Sequence, residues 1–105
     1  MVIRFEKEYL RDLYETGKTT DKKHRFQPDV IDGYAKGISH LEKASKPEDL
    51  YKYKSLNYEK LKGDKKGISS IRVTKKYRIE FIEKSEGIEP VITICNILEL
   101  SNHYK

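Results

Sequence analysis

The stretch LKGDKKGISSIRVTKKYRIEF, Leu61 to Phe81, carries seven Lys or Arg side chains against two carboxylates, Asp64 and Glu80. Guanidinium and ammonium groups gathered like this suit one task above others, the holding of phosphate. Arg does it with a planar fork of donors that matches two oxygens, and Lys with a point charge. Crowded onto a small sheet with no counter-anion, such groups repel one another, so a phosphate-bearing polymer is the first partner to look for.

The alternation in this stretch says where the arginines point. Ile71 and Val73 share one side of a strand, and Tyr77, Ile79 and Phe81 share one side of the next. A two-residue loop would set Val73 against Arg78. A three-residue loop, Thr74 to Lys76, pairs Val73 with Tyr77, Ile71 with Ile79 and Arg72 with Arg78, and so keeps all the apolar side chains on one face. Arg72 and Arg78 then stand side by side on the other face, an unfavourable pairing unless Glu80 or an external anion neutralises it. Two solvated arginines with Glu80 as their partner is the competing reading, and the pattern alone leaves it open.

The elements that must position these groups follow from the rest of the chain. VIRF reads as a short strand. In EKEYLRDLYETG, Leu10, Leu13 and Tyr14 fall on one helical face, and Gly17 offers a C-cap. KTTDKKHRFQ is a polar loop. Pro28 then opens a longer helix with Ile31, Tyr34, Ile38 and Leu41 on its inner side, and Gly33 and Gly37 within it imply close packing against the first helix or the sheet. SKPEDL makes a turn with room for one helical turn. From Leu56 the pattern changes to β, with strands in NYEKL, ISSIRVT, YRIEFIE and VITICNIL. The expected architecture is α+β: two N-terminal helices packed on one face of a mainly antiparallel sheet, the other face open.

Composition sets the limits. With 105 residues and 36% hydrophobic residues, the chain suits a single domain, 1–105, with a small core. No run is long enough for a membrane span and the start lacks the apolar centre of a signal peptide, so the cytoplasm is expected. The lone Cys95 lies in the apolar run VITICNIL and reads as a buried small hydrophobe. His24 and His40 have no metal-like spacing with each other or with Cys95, which places His24 in a loop and His40 on the solvent side of the second helix. The net charge of +5 favours an acidic partner.

The same residues carry a resemblance. LKGDKKGISSIRVTKKYRIEF, preceded by the two-helix pattern and KTTD, resembles the HigB toxins of the RelE/ParE superfamily of bacterial toxin–antitoxin systems over nearly the whole chain. The resemblance implies a compact RelE-like α+β domain that enters the ribosomal A site and cuts the mRNA there. The RNA's own 2′-hydroxyl would be the nucleophile, with no metal or other cofactor. It also implies a cognate HigA-like helix-turn-helix antitoxin, with operator DNA contacted only through that antitoxin.

Two positions depart from the HigB pattern. Those toxins place a His two residues before the Leu of LKGD and end in Asp-Tyr-His, whereas this chain has Glu59 there and ends in NHYK. The YoeB toxins of the same superfamily carry a Glu at the first position, an Arg matching Arg78 and a terminal His-Tyr. Glu59, Arg78, His103 and Tyr104 therefore resemble a YoeB-type catalytic set on a HigB-like scaffold. By that resemblance Glu59 is the base for the 2′-hydroxyl, and Arg78 with Arg72 beside it stabilises the charge developing on phosphorus. His103 is the acid for the departing 5′-oxygen, and Tyr104 stacks on a base or bonds the phosphate. Lys60, Lys62, Lys75 and Lys76 would hold the flanking RNA backbone by charge. Glu59 pairing with Lys60 or Lys62, and His103 and Tyr104 as a frayed chain end, are the plainer alternatives. A ParE-like inhibitor of gyrase and a non-catalytic RNA- or ribosome-binding module are the rival functions.

Overall fold

Pro28 stands at the first turn of the longer helix, where its missing N–H needs no partner. Gly17 ends the shorter helix in the left-handed region at φ 71°, and its N–H donates to the Leu13 carbonyl. The computed structural model describes residues 1–19 and 23–102. In chain order they form β1 (Val2–Phe5), α1 (Glu8–Thr16), α2 (Pro28–Lys43), β2 (Glu59–Lys60), β3 (Ser69–Arg72), β4 (Arg78–Glu86) and β5 (Ile92–Ser101). Short 3-10 turns at Pro47–Lys52, Lys54–Leu56 and Gly63–Lys65 link the helical half to the sheet and bracket β2. The SKPEDL segment is thus more helical than its sequence suggests, and β4 runs on to Glu86 through residues expected to form a loop.

The five strands lie in the order β1-β5-β4-β3-β2. β1 pairs parallel with β5, and the other pairs are antiparallel. The hairpin register is the expected one: Ile71 faces Ile79 and Arg72 faces Arg78, and the Val73 N–H donates to the Tyr77 carbonyl at 2.9 Å. Helix α2 lies directly on this hairpin. A Cβ added to Gly37 would come within 2.7 Å of Ile79 Cδ1, and one added to Gly33 within 2.8 Å of Val73 Cγ1 and 3.0 Å of the Val73 carbonyl oxygen. The two glycines therefore let the helix backbone sit on the sheet.

The core lies between helices and sheet. Leu10, Leu13, Tyr34, Ile38, Leu41, Leu50, Ile71, Ile79, Phe81 and Ile97 are buried there, each large aliphatic side chain contributing about 1.5–3 kcal/mol. The Tyr34 hydroxyl crosses from α2 to donate to the Leu10 carbonyl at 2.7 Å. Of the residues expected on the inner side of α2, Tyr34, Ile38 and Leu41 are fully buried, while at the start of the helix Val30 is buried and Ile31 only half-buried. Among the described residues no helix is long and apolar enough to cross a membrane.

One irregularity shapes the far end of the sheet. Glu80 faces Glu99 but Phe81 faces Ile97, so Leu98 is an extra residue in β5, a β-bulge. Before the bulge the odd-numbered residues Cys95 and Ile97 are buried toward the helices. After it Leu100 takes that side, opposite Ile79. Glu99 and Ser101 are thereby turned to the other face.

Candidate active site

The sheet face turned away from α2 carries two adjacent rows of polar side chains. Glu59, Ser70, Glu80 and Glu99 stand opposite one another across β2, β3, β4 and β5, and beside them run Arg72, Arg78 and Ser101. Arg72 and Arg78 are thus cross-strand neighbours on the face that alternation assigns them. This face is not fully open, however. Arg78 is only 5% exposed, because the Asn57 segment ahead of β2 closes over it. Its Nε donates to Ser70 Oγ at 2.9 Å, and its Nη2 donates to the Asn57 carbonyl and lies 3.7 Å from Glu59 Oε1. Asn57 holds a left-handed backbone at φ 45°, a conformation Asn tolerates better than most residues. That conformation accompanies the turn that brings its carbonyl to the guanidinium.

Several neighbours complete the electrostatics. The Glu59 side chain is about half exposed at 48%. Arg72 is exposed, its Nε donating to the Thr74 carbonyl at 3.3 Å, and Lys75 and Lys76 are exposed in the turn beyond it. Glu80 is nearly buried, and Lys65 from the third 3-10 turn reaches over to it at 2.7 Å. The Lys65 ammonium thus gives this buried carboxylate an opposite charge, on a strand that sets it against Glu99. The arrangement is a fixed guanidinium flanked by a half-exposed carboxylate on one side and a solvent-facing arginine on the other. It can take up a phosphate diester at Arg72 and offer the Glu59 carboxylate as an acceptor for a proton.

Of the residues expected in a site, Glu59, Arg72 and Arg78 come together, and Lys75 and Lys76 lie at their margin. Lys60 and Lys62 do not join them. Lys60 faces Ser69 on the other side of the sheet, and both lysines line a separate groove there. His103 and Tyr104 lie outside the described residues. Ser101, the last residue of β5, faces Arg78, so the chain leaves the sheet beside that guanidinium. Ser70, Asn57 and Lys65 are site neighbours that motif reading passes over, while Glu80, weighed there as a partner of the arginines, is met by Lys65. Ser70 was within reach of that reading, sharing the parity of Arg72. Asn57 was not.

The remaining candidates are structural. Cys95 is buried, and burial, reinforced by the Glu83 carboxylate, pushes its thiol up to about 12, the opposite of an activated nucleophile. His24 stacks on Tyr9 with ring centroids 3.7 Å apart. His40, expected to face solvent, is half-buried with its ring against Tyr53. Among the described residues no group of three or more His, Cys, Asp or Glu side chains is arranged to hold a metal ion.

Comparison with known proteins agrees with this fold. Residues 3–89 match the family of RelE-like toxins of the type II toxin–antitoxin system HigB. Toxin HigB-1 of Vibrio cholerae serotype O1 is 34% identical over 82 residues, covering 77% of this chain and 82% of that protein. A YoeB/ParE toxin from Agrobacterium tumefaciens shares the fold, with a TM-score of 0.55 at 20% identity over 99% of this chain and 100% of that one. With the family matched across β1 to β4 and the fold across all five strands, the chain belongs to the HigB-like, RelE-like toxins of type II toxin–antitoxin systems.

Proposed function

We propose that this toxin is a ribosome-dependent mRNA endoribonuclease acting in the cytoplasm, and that the face bearing Glu59, Arg72 and Arg78 is its active site. The observation that carries this reading is the Glu59 carboxylate 3.7 Å from an Arg78 guanidinium that Ser70 and Asn57 hold in place. Cleavage by an internal 2′-oxygen needs a base, a preorganised cation at the phosphorus and an acid for the leaving oxygen. Glu59 takes the 2′-hydroxyl proton. Arg78 supplies a charge whose orientation is set before RNA arrives, and exposed Arg72 supplies donors to the phosphate oxygens. His103, two residues past the strand end that faces Arg78, gives a proton to the 5′-oxygen, and Tyr104 stacks on a base or bonds the phosphate. Lys75 and Lys76 hold the adjoining backbone, and Lys60 and Lys62 meet RNA only where it wraps past the β2 edge. The 2′-oxygen displaces the 5′-oxygen, so the upstream product ends in a 2′,3′-cyclic phosphate or 3′-phosphate and the downstream product begins with a 5′-hydroxyl.

The test maps mRNA ends on programmed ribosomes, with and without the protein. Cleavage in the A-site codon with those end groups is the expected result. Intact mRNA together with inhibited DNA supercoiling by gyrase would replace this reading with the gyrase one.

A further inference from the structure

β3 ends before β4 does. Ser69 faces Phe81 at the last β3–β4 pair, while β4 continues to Glu86 with β5 alongside. Among the described residues, β4 from Ile82 to Glu86 therefore has a strand neighbour on one side only. The Val73 N–H to Tyr77 carbonyl bond makes the odd-numbered residues of β4 those whose peptide groups point toward the β3 side. The bulge lies in β5 and leaves this alternation intact. The N–H and C=O groups of Glu83 and Ser85 thus point into the line that β3 vacates, and both residues line a groove of about 780 Å³ there.

The groove has a definite chemistry. Lys46, Lys60, Lys62 and Lys66 stand around it against two carboxylates, Glu48 and Glu83. Glu83 is already engaged by the Tyr58 hydroxyl and by Ser69 Oγ, so the groove presents net positive charge. Leu61 and Ile68 give it an apolar wall. Unpaired strand groups, an apolar wall and a ring of cations together match an extended peptide with acidic side chains.

We propose that this edge receives an extended acidic segment of the cognate antitoxin, which continues the line of β3 beside Glu83 and Ser85. Membership in a toxin–antitoxin family supplies the partner, and the groove's charge supplies the sign of the segment. RNA is the other polyanion the lysines could attract, but it offers no peptide groups to the β4 edge. The site lies across the sheet from Arg72 and Arg78. The proposal does not rest on the nuclease reading, and either can fail alone.

The experiment compares hydrogen exchange in the full-length toxin, free and in complex with the antitoxin from its neighbouring reading frame. The Glu83 and Ser85 amides are expected to slow by about tenfold or more in the complex. The double variant Lys46→Glu, Lys66→Glu should weaken antitoxin binding by about tenfold at low salt while leaving RNA cleavage unchanged. Ser85→Pro removes a donor that faces the vacant edge, where proline is tolerated, and should weaken binding to a similar degree. Should Ser85→Pro fold poorly, the exchange data and the lysine variant still decide. Unchanged exchange at Glu83 and Ser85 in the complex, or protection confined to the Arg72 and Arg78 face, would overturn the proposal.

Discussion

Arg78 Nε donates to Ser70 Oγ at 2.9 Å across the β3–β4 pair, between two buried residues. With the Asn57 carbonyl on Nη2, this bond sets the plane of the guanidinium. Ser70→Ala should cost about 1–3 kcal/mol in denaturant unfolding, because a buried charged donor loses its acceptor. It should also slow RNA cleavage. Parent-like stability would mean that Ser70 is not what anchors Arg78.

Glu59→Gln and His103→Gln preserve size and hydrogen bonding but remove proton transfer. Each should reduce single-turnover mRNA cleavage by roughly 10²–10⁴-fold with little change in ribosome binding. Because base and acid act in one step, the double variant should lose less than the product of the two effects. Arg78→Lys keeps the charge and loses the fork, so it should fall between the parent and Arg78→Ala. Single variants that cleave like the parent would remove these residues from the chemistry.

Lys75 and Lys76 are exposed in the β3–β4 turn, and under the proposed function they meet RNA as point charges. Lys75→Ala should reduce the slope of log affinity against log salt by about one, with the chemical step nearly unchanged. Filter binding to ribosomes across a salt series measures this, and a slope equal to the parent's would exclude a backbone contact there.

Gly33→Ala tests the seat of α2 on the sheet. An alanine gains helix propensity at an open site, but here its methyl meets the Val73 carbonyl oxygen at 3.0 Å as well as the Val73 side chain. Overpacking against backbone should dominate, with a loss of about 1–3 kcal/mol. A gain in thermal stability would show that the helix can lift at no cost.

Alkaline pH should destabilise the fold. Burial pushes the Cys95 thiol from 9.0 up to about 12 and raises the Tyr34 and Tyr58 phenols above their ordinary range. In the unfolded chain these groups release protons earlier, so above pH 9.0 the folded state binds more protons and stability falls as pH rises. Denaturant midpoints across that range measure the decline, and Cys95→Ala should make it shallower.

What could be read beforehand was whatever rests on local alternation. The hairpin register, the three-residue loop and the juxtaposition of Arg72 with Arg78 all follow from which side chains avoid water. Gly33 and Gly37 signal close packing of α2 but leave open whether the neighbour is the first helix or the sheet, and the structure puts the hairpin there. The rest depends on distant parts of the chain meeting. β1 joins β5 at the far side of the sheet, a parallel pairing between two ends that no local pattern encodes. The burial of Arg78 depends on where the Asn57 carbonyl lands, whereas the separation of Lys60 from the arginine face is alternation again, since Lys60 adjoins Glu59 on one strand. His103 and Tyr104 lie outside the described residues, so that half of the proposed catalytic set rests on its motif.

The extra residue at Leu98 divides β5 into two segments of opposite phase. A substitution scan along this strand should therefore show a reversal. Polar replacements should be damaging at Cys95 and Ile97 and tolerated at Asn96, and past the bulge the damaging position should become Leu100, with Glu99 and Ser101 answering to function instead of folding. Deleting Leu98 would leave Ile97, Glu99, Leu100 and Ser101 in unbroken alternation opposite Phe81, Glu80, Ile79 and Arg78, so the variant should keep both faces. The extra residue thus sets the local bend and twist of the strand and not which face serves the core.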